Sequence, residues 1–263
     1  MEKAMYGLEL TKNSKVGWAF SVSRTQSCVG KTQTCAKLCY GNGIRYGTEG
    51  QKYKRERNYR TAVLLLEQGG PSLLAENLLL LLEQARPIDW LPAKLSGIKT
   101  RLPYTLRLHD VGDFWSPAYI QAWRIAAEIR SECRFWFYTR SFLEKDMLKA
   151  LTELAALPNC QGWLSADSDN YMQALAAYRS APDIWKLSFL QGEPAAALPL
   201  ALLAAIKKTV PEGRLVTFPY HRAGWHVEPV EDLFVCPQVL GLYPLAAGAE
   251  ALKPCQQCMF CLP

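Results

Sequence analysis

The chain has 263 residues, of which 49% are hydrophobic and 21% are charged, so it can bury a globular core and is not a small disulfide-stapled domain. The formal charge of +6 permits a polyanionic partner but does not require one. The N-terminal segment lacks the apolar stretch of a signal peptide. The most apolar segments, 73–82 and 195–206, are interrupted or too short to span a bilayer. We therefore expect a cytoplasmic protein with no membrane partner.

The first predicted strand, at 16–22, leads directly into a loop that carries Cys28, Cys35 and Cys39. In a reducing compartment, cysteines are more often metal ligands or buried apolar residues than disulfides. The spacing of these three matches no common zinc finger. Three thiolates on one loop can hold a metal cluster and leave one coordination position open, which favours chemistry over structural support. The alternatives are that one or two of them are merely buried, or share a zinc site with the cysteine-rich tail.

A basic helix is predicted next, beginning with the run Lys52–Arg60 and ending where Gly-Gly-Pro at 69–71 interrupts the helical pattern. A second helix, 73–85, follows. The cations would by default form a solvated helix face. Because Tyr53 and Tyr59 are interleaved with them and can stack on bases, a nucleotide or nucleic-acid partner remains a candidate here.

From residue 104 onwards, predicted strands and helices alternate at the spacing of βα units. The predicted strands are 104–109, 134–138, 161–165, 184–189 and 214–218, with intervening helices that include 118–130, 143–157 and 195–208. Together with the first strand they make six alternations, which fits a partial (β/α)6 barrel or an open doubly wound sheet. We predict an α/β fold of the partial-barrel type over residues 1–219, followed by a cysteine-rich C-terminal segment, 220–263.

Polar residues recur where the predicted strands end. These strand ends are His109-Asp110-Val111-Gly112-Asp113, Thr139-Arg140-Ser141, Ser165-Ala166-Asp167 and Tyr220-His221-Arg222. Because the carboxyl ends of parallel strands share one edge, these groups should lie together with the cysteine loop. Each is weak alone, since Asp and Ser are ordinary helix caps and a lone histidine is usually a satisfied core residue. No glycine-rich phosphate loop is present in the sequence.

The tail contains the most specific pattern of the chain, Cys-x-x-Cys-x-x-Cys at 255–261. With one earlier cysteine it provides four thiols: Cys236, Cys255, Cys258 and Cys261. Four thiolates suit tetrahedral zinc or a fully ligated iron–sulfur cluster, and three in tandem are more typical of iron–sulfur loops. Cys133 and Cys160 each precede a strand singly and are predicted to be small buried hydrophobes.

Four motifs together resemble a family of phage and plasmid proteins called gene product eighty-eight. They are Ser-Cys-x6-Cys-x3-Cys-Tyr at 27–40, Leu-Arg-Leu-His-Asp-Val-Gly-Asp-Phe at 106–114, Tyr-Thr-Arg-Ser at 138–141 and the terminal cysteine triplet. The order of strand, three-cysteine loop, βα units and cysteine-rich tail also looks like the radical S-adenosylmethionine superfamily. That superfamily usually has Cys-x3-Cys-x2-Cys and a Gly-Gly-Glu sequence, and this chain has neither.

The resemblance to radical S-adenosylmethionine enzymes implies a [4Fe–4S] cluster on Cys28, Cys35 and Cys39, with an open iron that binds S-adenosylmethionine. An external electron donor would reduce it, and a second cluster would occupy the four tail cysteines. The implied catalytic side chains are Asp110, Asp113, Arg140 and His109. The implied cofactor-binding residues are Gly112, Asp113, Ser165 and Asp167.

The sequence therefore predicts an iron–sulfur enzyme of the radical S-adenosylmethionine type whose substrate is a small molecule, a nucleotide or a nucleic acid. One alternative is a non-catalytic iron–sulfur protein that binds nucleic acid and senses redox state. The other is a zinc-stabilised binding domain.

Overall fold

The computed structural model describes residues 7–86, 104–191, 206, 208–211, 213–219, 235–239, 242 and 253–263. The strands are β1 Thr11–Asn13, β2 Gly17–Phe20, β3 Thr105–Leu108, β4 Arg134–Thr139, β5 Cys160–Ala166, β6 Trp185–Gln191 and β7 Leu215–Pro219. The α-helices in the described part are α1 Arg24–Ser27, α2 Gln33–Leu38, α3 Ile44–Gly47, α4 Glu49–Ala85, α5 Pro117–Ile129, α6 Lys145–Ala155, α7 Tyr171–Ser180 and α8 Pro254–Cys258.

The seven strands form one sheet in which spatial order follows chain order, β1 to β7. Strands β2 to β7 are parallel, and β1 pairs with β2 in the antiparallel direction. All six predicted strands are confirmed, and β1 is a seventh strand that was not predicted. A doubly wound sheet would reverse its strand order part-way across, and this one does not. Within the described residues β7 does not pair with β1, so the molecule has an α/β fold with a mostly parallel sheet that is not shown to close into a barrel.

One face of the sheet packs against helices α4 to α7, and we call it the helical face. Alternate side chains of each strand, such as Leu106 and Leu108 on β3 and Phe135 and Phe137 on β4, point into this core. Trp123 of α5 is fully buried among them. Burial of this apolar area supplies most of the driving force for folding.

The opposite face, which we call the tail face, is covered by the C-terminal segment 253–263. Ala19 and Trp136 pack there against Leu262, and Trp163 packs against Phe260 and Cys261. The segment is therefore anchored on the strands themselves. The division at residue 219 stays a prediction, since most of 220–252 lies outside the described residues. The predicted helix at 195–208 and strand end at 220–222 also lie largely or wholly outside them.

Helix α4 contains the break that the sequence predicts. Gly70 has φ 66° and ψ −163°, which lies outside the helical region, and Pro71 follows it. Glycine adopts a positive φ without the steric clash that other residues suffer, and proline fits the first turn of a helix. The segment is thus two helices joined at a kink. Within the described chain, no helix combines the length and apolar character needed to cross a bilayer.

Candidate functional site

The three-cysteine loop lies at the carboxyl edge of the sheet, directly after β2. Thr32 caps helix α2, since its hydroxyl accepts a hydrogen bond from the Cys35 backbone N–H at 2.9 Å. Cys39 follows the last residue of α2 and stands four positions after Cys35, so the two lie on the same side of the helix. Cys28 ends the short helix α1 before the loop turns.

Two glycines let this loop approach the strand ends closely. A Cβ atom on Gly30 would collide with the backbone carbonyl of Arg140, so the loop rests directly on the turn after β4. Gly112 has φ +91°, and a Cβ there would lie 2.6 Å from the Val22 side chain and 2.9 Å from the Ser27 hydroxyl. Only glycine fits both the backbone angle and the space at this position. The turn after β3 is therefore packed against the start of the cysteine loop.

Asp113 connects the ends of β3 and β4. Its carboxylate accepts hydrogen bonds from the Thr139 hydroxyl at 2.7 Å, the Arg140 N–H at 2.8 Å and the Phe114 N–H at 2.8 Å. Burial raises the pKa of this carboxyl above its ordinary value, and these hydrogen bonds oppose the rise. The backbone N–H of Asp113 donates to Ser27 at 3.1 Å.

Asp167 holds the loop on the end of β5. It is fully buried and accepts hydrogen bonds from the Thr32 hydroxyl at 2.6 Å and from Arg140 Nε at 3.2 Å, with the guanidinium also in an ion pair at 3.2 Å. Asp169 accepts from the Thr34 backbone N–H at 2.8 Å. The turn after β5 thus has a second contact with the loop.

A third anchor surrounds Asp110. Its carboxylate pairs with Arg107 at 3.3 Å and accepts hydrogen bonds from the Tyr46 hydroxyl at 3.0 Å and the Asn13 amide at 2.6 Å. The Tyr40 hydroxyl donates to the Asp110 backbone carbonyl. Because Tyr40 directly follows Cys39, this network fixes the end of the cysteine loop.

The three thiols of the loop are neighbours. Burial raises the pKa of Cys28 to about 12, with further increases from Asp113 and the other two cysteines. Burial also raises the pKa of Cys35, and Cys39 adds to the rise while Arg140 opposes it. Without a metal the Cys28 and Cys35 thiols are therefore protonated at neutral pH, and a bound metal would displace those protons.

As the side chains stand, no three of the described histidine, cysteine, aspartate and glutamate side chains form a group that could hold one metal ion. A multi-iron cluster places each thiolate on a different iron atom and therefore spreads its ligands more widely. The three loop thiols are the donor type that such a cluster uses.

The four tail cysteines lie together on the tail face. Cys255 donates its N–H to the Lys15 carbonyl at 3.1 Å, and Cys236 donates to the Thr217 carbonyl at 3.1 Å. The Cys261 sulfur accepts a hydrogen bond from the Tyr138 hydroxyl at 2.8 Å. Burial raises the pKa of Cys255 to about 11 and of Cys261 to about 12, and the neighbouring tail thiols add to both increases.

Three cations face these tail thiols. Lys15 and Arg107 both lower the pKa of Cys255, and Cys261 raises the pKa of Lys186, which burial lowers. The Lys186 ammonium also lies over the Trp163 ring, 5.2 Å from its centroid. These charges would offset the negative charge of tail thiolates, which do not form a metal-binding group as the side chains stand.

Comparison of the whole sequence with known proteins identifies its family. The sequence model of a family described as Gene product 88 matches residues 2–262. The chain belongs to this family.

Two relatives are phage proteins, each named Gene 88 protein. The one from Mycobacterium phage D29 is 31% identical over 164 residues, and the one from Mycobacterium phage L5 is 29% identical over 164 residues. Each alignment covers 60% of this chain and 61% of the relative, so the chain spans less than two thirds of either. No solved structure matches the chain. The comparisons therefore support the resemblance to the phage family. They give no support to a resemblance to the radical S-adenosylmethionine superfamily.

In this Gene product 88 protein, most of the predicted site residues meet at one edge. Arg140 and Asp113 affect the pKa of the loop cysteines, and Asp167 affects that of Cys35, so all three lie beside the loop. His109 does not join them. It has φ 61° and turns into the helical face, where its Nε2 lies 2.8 Å from the Tyr119 hydroxyl.

Two other predicted residues have different surroundings from those expected. Ser165 lies on the tail face, where its hydroxyl is 3.4 Å from that of Ser188. Gly112 lets the turn after β3 pack closely against Val22 and Ser27. Cys133 and Cys160 are buried in the helical-face core, as predicted.

Much of the charge on the basic helix is used internally. Lys54 and Arg57 both pair with Glu9, while Arg60 pairs with Glu56 on the same helix. The Tyr59 ring packs on Trp115, 4.8 Å between centroids. These contacts, with the Lys52–Glu49 ion pair, engage the charge of the run except that of Arg55, and they leave one fewer tyrosine for stacking on a nucleic acid. The geometry therefore does not favour that partner.

Several residues of the site escaped the sequence reasoning, among them Thr32, Tyr46 and Arg107. Thr32 has a readable signal, because a threonine three residues before Cys35 is a typical helix cap. Arg107 has another, since a charged residue within an otherwise apolar strand needs a buried partner. Tyr46 has none, because only the folded chain brings it to Asp110.

Proposed function

We propose that this Gene product 88 protein is an iron–sulfur enzyme whose reactive centre is a cluster held by Cys28, Cys35 and Cys39. The observation that carries the proposal is the position of this loop. Its three neighbouring thiols lie at the carboxyl edge of a parallel sheet, which is where α/β enzymes place their reacting groups. Three buried aspartates hold it there: Asp110 and Asp113 after β3, and Asp167 after β5.

The finer proposal is that S-adenosylmethionine occupies the free position of a [4Fe–4S] cluster, as in radical S-adenosylmethionine enzymes, and that the sheet is a partial barrel. Such a cluster supplies an iron atom with a free coordination position and one-electron chemistry. The chain's own residues have separate tasks. Asp113 and Asp167 hold Arg140 and the cysteine loop in fixed positions.

The tail would hold a second, fully ligated cluster. Cys236, Cys255, Cys258 and Cys261 provide one thiolate for each of four irons, which leaves no position for a substrate. Its place on the tail face, across the Tyr138 and Arg107 side chains from the loop, suits a supporting redox centre supplied by an external electron donor.

The proposal is tested with the full chain purified and reduced without oxygen, then mixed with S-adenosylmethionine. We expect release of 5′-deoxyadenosine or methionine, which chromatography measures. Cys28→Ala should abolish this release and remove roughly half of the bound iron, because only the tail site remains complete. Cys133→Ala, which removes a buried core thiol, should retain both.

Absence of both turnover and S-adenosylmethionine binding in the wild-type protein would contradict the finer proposal. Global unfolding of Cys28→Ala, seen by circular dichroism, would make the loop site structural instead of catalytic.

A further inference from the structure

Two arginines beside the cysteine loop have only uncharged acceptors. Arg55 is 5% exposed, and its Nη2 donates a hydrogen bond to the Tyr46 carbonyl at 2.6 Å. Arg24 is half-buried and donates to the Asn42 side-chain oxygen. Among the described residues, neither guanidinium forms an ion pair with a carboxylate. A buried arginine normally has such a partner, since burial of an unpaired charge is unfavourable.

The two arginines are also close enough to repel each other. Burial lowers the pKa of Arg55, and Arg24 lowers it further. Asp110 acts in the opposite direction, but its carboxylate oxygens already accept from Arg107, Tyr46 and Asn13. The local charge is therefore positive, and much of the hydrogen-bonding capacity of Arg55 is unused within the described chain, because a guanidinium has five N–H donors.

This positive surface borders the sulfur of Cys39. A Cβ atom placed on Gly41 would lie 3.3 Å from Cys39 Sγ and 3.7 Å from Arg24 Cδ. The arginine side chain and the sulfur thus face one another across a residue that has no side chain. Cys39 also raises the pKa of Arg55.

We propose that Arg24 and Arg55 form an anion subsite, which takes a carboxylate or phosphate group of the ligand that binds at the three-cysteine loop. The planar donor fork of arginine matches the paired oxygens of both groups. The identity of the loop as a ligand site rests on the proposed function, whereas anion binding by the two arginines is measurable without it.

Calorimetric titration of the full chain with inorganic phosphate and, separately, with malonate tests the subsite. Wild-type protein should bind at least one of them, and the one it binds tells phosphate from carboxylate recognition. Arg24→Gln should weaken that binding about tenfold or more, since a charge-assisted contact is lost, and should leave iron content unchanged. Arg55→Lys keeps the charge but loses the fork, so its binding should also be weaker.

Lys31→Gln is the matched control, because it removes one positive charge from the exposed part of the same loop. Its affinity should equal that of the wild type. The subsite is wrong if wild type binds neither anion, or if Arg24→Gln binds as wild type does. Equal weakening of anion binding by Lys31→Gln would show general charge attraction. Loss of iron in Arg24→Gln would show that the arginine supports metal binding by the cysteines. Either result overturns the proposal.

Iron and sulfide analysis of the same samples separates the two proposals. A protein without iron that binds phosphate through Arg24 would refute the proposed function and keep the subsite. An iron-loaded protein whose anion binding is unchanged by Arg24→Gln would refute the subsite and keep the proposed function.

Discussion

Asp167→Ala is expected to lower the free energy of unfolding by roughly 3–5 kcal/mol, because it leaves the Arg140 guanidinium buried beside an empty space. The fully buried carboxylate also accepts the Thr32 hydroxyl at 2.6 Å, so its loss frees the start of α2. The cysteine loop should then separate from the end of β5 and lose the proposed cluster. Urea denaturation, followed by circular dichroism, measures the stability, and iron analysis measures the metal.

Asp169→Ala is the control for Asp167→Ala. Asp169 is exposed and binds the Thr34 backbone N–H, so we expect a loss of only about 1 kcal/mol. Asp167→Asn, which retains an acceptor for Thr32, should fall between the two. Equal unfolding free energies for Asp167→Ala and the wild type would show that this carboxylate does not hold the loop.

His109 is expected to make the folded protein sensitive to acid. Burial lowers its pKa to about 3, with a further contribution from Arg107 on the preceding strand, whereas an unfolded histidine titrates near 6.5. Below pH 6.5 the unfolded chain therefore binds a proton that the folded chain does not. Stability rises with pH between about 3 and 6.5 and is lost on acidification through that range. Between pH 7 and pH 4 this group alone should remove about 3 kcal/mol.

Comparison with His109→Asn isolates this effect, since asparagine tolerates the positive φ of the site and has no titrating group. The difference between the unfolding free energies of wild type and variant should shift by about 3 kcal/mol between pH 7 and pH 4. A difference that stays constant across this range would mean that His109 is charged or accessible in the folded state. The Tyr119 hydroxyl is its hydrogen-bond partner and stays neutral throughout.

The sequence was a good guide to the parallel strands, because their apolar runs and the turn residues between them are local signals. The kink at Gly70 and Pro71 was predictable for the same reason. The short strand β1 was not, since its three residues Thr11–Asn13 are polar and pair only because β2 lies beside them. Strand order could not be derived either, because it depends on how the crossovers pack.

The sequence predicted the cysteines and the strand-end carboxylates of the candidate site. It did not predict the hydrogen bonds and ion pairs that connect them. Tyr46 and Asn13 meet Asp110 from positions 64 and 97 residues away, and no local pattern encodes such contacts. The orientation of His109 was equally hidden, because a single positive φ directs it away from the edge that its neighbour Asp110 helps to form. The pairing of Lys54 and Arg57 with distant Glu9 was likewise hidden, and it engages two of the charges predicted to be available on the basic helix.

Elemental analysis of the full chain, purified without oxygen, is the most direct test of the central claim that the two cysteine sets hold iron–sulfur clusters. We expect a brown protein with about eight iron and eight sulfide per chain, and no zinc, as two four-iron clusters require. A colourless protein with stoichiometric zinc and no sulfide would contradict the account.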